Sequence, residues 1–157
     1  TGRMMRTWKA DSLVKFDKTF VANIGGFRSM AFSKDGKQLA GSGITNVTNA
    51  FAGVGNPSVV IFNWGDGKQV VEHLAKKKIQ GVAWGLALHP NGTVIVGAGG
   101  SGGYLVFWKK GEKDEFYQMK LKNNARDLDL ASDGLRLATA EADGYLRVYL
   151  MVEKKKS

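Results

Sequence analysis

The chain has no cysteine, only two prolines and only two histidines in 157 residues. Without cysteine it has no disulfides, no thiol nucleophile and no thiolate-bound metal, and the redox compartment stays open. Two prolines against 21 glycines suit many tight turns and few stiff linkers. No apolar run approaches the roughly 20 residues of a membrane-spanning helix, and no charged-then-apolar leader opens the chain. That absence does not exclude export, and no compartment is specified; a soluble, cytoplasmic setting is the expectation the composition leans to. Negative charge is also scarce, with 14 Asp and Glu against 23 Lys and Arg, a net charge of +9.

What recurs is a turn phrase. Ser33-Lys34-Asp35-Gly36, His89-Pro90-Asn91-Gly92 and Ser132-Asp133-Gly134 each sit between two apolar runs. Asp-Gly and Asn-Gly supply positive φ angles to a tight two-residue turn, so each phrase predicts a β-hairpin. A second landmark keeps step with it: Met4 to Trp8, Val59 to Phe62, Tyr104 to Trp108 and Tyr145 to Tyr149 are short apolar runs closing on an aromatic. Intervals between the closing aromatics are 54, 46 and 41 residues. The long first interval contains an insertion, Thr45 to Pro57, of about ten extra residues, without which the period is that of a four-stranded repeat of roughly 40–45 residues.

Periodicity within each repeat is that of strands. Polar and apolar positions alternate in Arg28 to Phe32 and in Arg126 to Leu130. No stretch reads as a convincing helix. Val70 to Ile79 has Val71, Leu74 and Ala75 at helical spacing, but turn residues flank it and Lys76-Lys77-Lys78 follow, which reads as a strand and a charged loop.

These residues resemble the WD40 family of β-propellers. The resemblance lies in Ala31 to Gly43 (AFSKDGKQLAGSG) in the first repeat, and in Leu135 to Thr139, Asp143-Gly144 and Leu146 to Tyr149 in the third. It covers nearly the whole chain. Departures are Gly25-Gly26 where the family has Gly-His, and Trp8-Lys9, Phe62-Asn63, Trp108-Lys109 and Tyr149-Leu150 where it closes on Trp-Asp. The implied fold is all-β: propeller blades of four antiparallel strands in an incomplete ring, the C-terminal part of a larger propeller. Its expected divisions are an outer strand of a preceding blade in 1–15, centred on 3–8; blades at 16–64 with the insertion 45–57, 65–109 and 110–150; and a basic tail at 151–157.

Three blades do not close a ring, and an open arc leaves apolar sheet faces in water. A protein partner is therefore expected: further blades of a parent chain, a separate polypeptide, or a second copy as a homo-oligomer. The chain opens at Thr1-Gly2-Arg3 in mid-blade, which favours the parent chain.

Other signals are weaker. Loop lysines cluster at Lys76 to Lys78, at Lys109-Lys110 with Lys113, and at Lys154 to Lys156; such lysines keep strand edges soluble, and no aromatics interleave with them as on a base-stacking platform, so nucleic acid is not the expected partner. Gly97 to Gly102 satisfies G-x-G-x-x-G, but a strand follows where a dinucleotide fold needs a helix. It reads as a flexible link between strands, and no cofactor is expected. His89 takes the turn position of Ser33, Asp114-Glu115, Glu141 and Asp143 lie in loop contexts, and no catalytic or metal-binding set emerges. Asn46-Val47-Thr48 and Asn91-Gly92-Thr93 match the glycosylation sequon by chance.

The chain is accordingly expected to be a non-enzymatic interaction scaffold. The alternatives are a regulatory propeller within a larger enzyme and a nucleic-acid binder using loop lysines. Candidate partner-binding residues are Asn46, Thr48, Asn49, Phe51 and Asn56 on the insertion, and Lys34, Asp35, Lys37, Lys109 and Lys110 at the opposite end.

Overall fold

The computed structural model describes residues 2–49, 54–75 and 79–152. After a short 3-10 turn at Asp11–Leu13, β1 (Val14–Asp17) and β2 (Ala22–Gly25) form a hairpin. A four-stranded antiparallel sheet follows from β3 (Phe27–Phe32), β4 (Gln38–Asn49), β5 (Val54–Asn63) and β6 (Gln69–Leu74), each strand beside the next. A second has the same order: β7 (Gly81–Leu88), β8 (Val94–Gly100), β9 (Tyr104–Trp108) and β10 (Tyr117–Lys120). The third contains β11 (Ala125–Leu130), β12 (Arg136–Glu141) and β13 (Leu146–Leu150). Among the described residues there is no α-helix. The fold is all-β, built of propeller-type sheets that do not close on one another.

Two expectations are corrected. Residues 3–8 form no strand; Trp8 instead stacks on Phe62 at 5.7 Å and meets Trp64 edge-on at 5.3 Å. The sheets are also offset by one strand from the divisions at 16–64, 65–109 and 110–150, because β6 pairs with β5 and β10 with β9. The Asp66-Gly67 turn folds the chain straight back after Asn63, and the strands that follow Phe62 and Trp108 each join the sheet already built. Of the stretch from Val70 to Ile79, Val70 to Leu74 belong to strand β6, and Lys76 to Lys78 lie outside the described residues.

The repeated turns form for a different reason than φ alone. Only the glycines are left-handed, Gly36 at φ 67°, Gly92 at 89° and Gly134 at 72°. In each, the glycine amide donates at 2.8 Å to the carbonyl three residues back, on Ser33, His89 and Ala131. The Asp or Asn before it accepts from the amide two residues ahead: Lys37 to Asp35, Thr93 to Asn91 and Leu135 to Asp133, at 2.8 to 3.0 Å. Asp and Asn thus serve by side-chain acceptance, and only glycine by its conformational freedom.

Burial follows sheet position. In β8, Val94, Ile95 and Val96 are all buried, as a strand covered on both faces requires. Val94 and Val96 face the first sheet, with Ala40, Val59, Ile61, Leu86 and Trp108; Ile95 faces the third, with Ala87, Leu105, Leu128 and Leu137. Each fully buried Leu or Ile contributes about 1.5–3 kcal/mol, against roughly 0–1 for an exposed ion pair, so sheet stacking dominates. Gly97 and Gly99, expected in a flexible link, are inside β8. A Cβ on Gly97 would lie 3.0 Å from that of Ala125, and one on Gly99 would lie 2.8 Å from the Ala125 carbonyl. These glycines let β11 approach, and the turn itself is 101–103.

His73 in β6 is buried, with Nδ1 donating to the Glu112 carbonyl, its ring 5.8 Å from Trp108 and Nε2 without a hydrogen-bond partner. Burial holds its pKa below the ordinary 6.5, opposed by the Glu112 bond.

The packing can be tested at two positions. A Cβ on Gly85 would strike the backbone of Asp127 and Leu128, so Gly85→Ala should cost about 1–3 kcal/mol in urea unfolding; unchanged stability would show that β7 and β11 are not this close. Because the unfolded chain binds a proton at His73 more readily than the folded one, stability should fall as pH drops below about 6.5, and that slope should shrink in His73→Phe. An equal slope in both proteins would place the titration elsewhere.

Candidate interaction surfaces

The strands of each sheet run between two ends of the stack, and the expected site residues divide between them. At the hairpin end, the β3–β4 turn, the β7–β8 turn and the β9–β10 connection enclose a cleft of about 520 Å³ bordered by Lys34, Asp35, Asn91 and Lys110. The Ser33 hydroxyl donates at 2.6 Å to Asp35, and with the Lys37 amide holds that carboxyl below the usual carboxylate range. Lys37 and Lys109 are not among the residues bordering the cleft; Lys109 lies 3.7 Å from Glu112 and 5.9 Å from the Phe116 ring centre. His89 lines its turn as expected: Nδ1 accepts from the Asn91 amide at 3.2 Å, so Nε2 donates to the Gly134 carbonyl at 3.0 Å. It couples two turns.

At the other end the insertion extends β4 and β5 as a paired hairpin through Thr45↔Asn56 and Asn49↔Val54. Thr45 is buried and donates at 2.7 Å to the Ser12 carbonyl, and Lys15 donates at 3.1 Å to the Val47 carbonyl. Asn46 has φ 53° and donates at 3.3 Å to the Asn56 side chain, which in turn donates to the Ile79 carbonyl at 3.3 Å. Asn46 and Asn56 thus fasten the extension. Thr48 and Asn49 are exposed, and Phe51 lies outside the described residues.

The same end carries three residues that belong to no sequence motif. Each innermost strand has a register shift at one place, between Phe27 and Ser29, Ala83 and Gly85, and Ala125 and Asp127. The residues there are Arg28, Trp84 and Arg126. Each lies eight residues before its turn glycine, a spacing visible once the turns are aligned. Both guanidinium carbons lie 5.3 Å from the Trp84 ring centre. Trp84, like Ile24, packs against a buried cluster of Ile44, Val47 of the extension and Val82.

The third surface is the outer face of the last sheet. Leu146, Val148 and Leu150 of β13 are 78%, 67% and 66% exposed, beside Ala138 and Ala140 of β12 in register. On the inner face the Glu141 side chain is fully buried, which its loop context did not announce. Thr139, Tyr149, Arg147 and the Asn123 amide all donate to it at 2.8 to 3.2 Å. Arg147 also clamps Asp143 at 3.0 and 2.8 Å, holding that carboxyl below its usual range. A carboxylate so occupied is a structural tie, with little acceptor capacity left for acid–base work. Among the described residues no cluster of His, Asp and Glu has metal-site geometry.

No protein-family model and no curated protein matches this sequence. Solved structures do match its fold. The β-propeller domain of Cps50 (Swd1) from Myceliophteria thermophila superposes with a TM-score of 0.59 at 12% identity, over 82% of this chain and 37% of that one. A chain of the mitotic checkpoint complex gives 0.60 at 14% identity, over 84% of this chain and 39% of that one. The chain thus spans less than two fifths of either structure, and the likeness shows a propeller fold at sequence identities where only fold is shared.

Glu141→Leu should destabilise the third sheet by about 3 kcal/mol, since it strands several donors at once. Thermal unfolding followed by circular dichroism reads this; an unchanged midpoint would mean that the buried network is not structural.

Proposed function

We propose that this chain is a propeller segment acting as a protein-interaction scaffold, completed by further sheets from a parent chain or a partner, with no chemical step of its own. The observation that carries the reading is the contrast between the two faces of β13. Arg147 and Tyr149 are partly covered on the inner side, while Leu146, Val148 and Leu150 on the outer side form a row of large apolar side chains in water. In the described residues β13 is also an unpaired edge. An apolar face next to an open edge is the surface that another sheet covers. Similar solved structures point the same way: one is a propeller domain and the other a chain of a named complex.

The test is a photo-crosslinking residue at Val148, in the protein expressed in its own cells, with a second at exposed Lys18 as reference. The scaffold reading expects Val148 to capture a defined β-strand segment of this or another polypeptide. Capture of a catalytic domain on the same chain would favour the regulatory-propeller alternative, and capture no greater than at Lys18 would overturn covering of this face. Val148→Asp with Leu150→Asp should lower that association at least tenfold while stability changes by only about 0.5 kcal/mol per exposed site.

A further inference from the structure

The inner strands set two guanidiniums on one indole. We infer that Arg28, Trp84 and Arg126 form a receptor for an extended acidic peptide segment of a protein partner, with one carboxylate at each arginine and the peptide spanning the two guanidiniums. This deepens the scaffold reading and rests on it.

Three observations carry the assignment. The register shifts fall at the same place in β3, β7 and β11, and such bulges re-aim a side chain out of the ladder. The arginines are exposed, and their guanidiniums make no hydrogen bond or ion pair with any described residue. By contrast, Arg6 donates to the Trp64 and Gly65 carbonyls, Arg136 to Asp133, and Arg147 to Glu141 and Asp143. Arg28 and Arg126 therefore each offer five N–H donors to an incoming acceptor. Finally, Trp84 is seated on Ile44 and Val47, so the extended β4–β5 hairpin props the platform. This gives the insertion a purpose that its own exposed residues do not.

Charge and shape select the ligand. Two cations held on one ring repel, and an anion relieves that, while each cation–π contact is worth only about 0.5–1 kcal/mol at an exposed site. Since each arginine comes from a different sheet and stacks on the indole, the pair fits two separated carboxylates better than one small anion. Single-stranded nucleic acid fits poorly, because the indole already carries two guanidiniums and is not open for base stacking.

The experiment is fluorescence anisotropy of the full chain with a short fluorescein-labelled peptide of alternating Glu and Ser, a Gln-and-Ser peptide and a single-stranded oligonucleotide. Expected are binding of the Glu peptide that weakens with salt, no binding of the Gln peptide, and a loss of about tenfold in affinity for each of Arg28→Gln and Arg126→Gln, the size of one charge-assisted contact. Lys18→Gln with Lys120→Gln, which removes the same kind of charge elsewhere, should leave affinity unchanged. No Glu-peptide binding, equal loss in the lysine variant, or preference for the oligonucleotide would overturn the assignment. Wild-type salt and Gln-peptide arms keep the test valid if an arginine variant fails to fold. Persistence of the Val148 crosslink alongside any of those failures would sink this receptor and leave the scaffold standing.

Discussion

Face-to-face stacking of sheets is the constraint from which the rest of this structure follows. The second sheet is buried on both sides, so β8 can be Val94-Ile95-Val96 with no polar alternation. Close stacking also forces small residues where backbones approach, as at Gly85, Gly97 and Gly99. The third sheet has only one covered face, and β13 shows it in an alternating pattern of partial burial and exposure. The N-terminal segment partly solves the same problem at the other flank, laying Trp8, Ala10 and Leu13 over Val60 and Phe62. Met30 and Phe32 nevertheless remain 69% and 54% exposed.

The two ends of the stack are built differently. At the hairpin end, side chains satisfy turns: Ser33, Asp35, His89 and Asn91 direct much of their hydrogen-bonding capacity to backbone or to one another. At the other end, the bulged positions release side chains from the ladder, and the arginines among them keep free donors. Rigid sheets supply the positioning in both cases.

Much of the fold is legible in the sequence because turn chemistry and strand period are local. The Asp-Gly and Asn-Gly phrases locate the hairpins, although the reason for Asp and Asn is acceptance from the amide two residues on. Strand phase is less legible: nothing local says whether the strand after Asn63 joins the sheet behind it or the one ahead. Trp8 reads as a strand end because an apolar run closing on an aromatic is common to strands and to segments that merely cap a face. Site residues are the least legible. Nothing local says that Asn46 and Asn56 tie the extension together, or that Arg28, Trp84 and Arg126 meet, which they do only when three distant strands are stacked.

The most direct measurement is an experimental structure of the protein isolated in its native assembly, read at the outer face of β11 to β13. The expected result is another sheet stacked about 10 Å from that face, covering Leu146, Val148 and Leu150. The same face open to solvent in the native assembly would contradict an incomplete propeller that something else must complete.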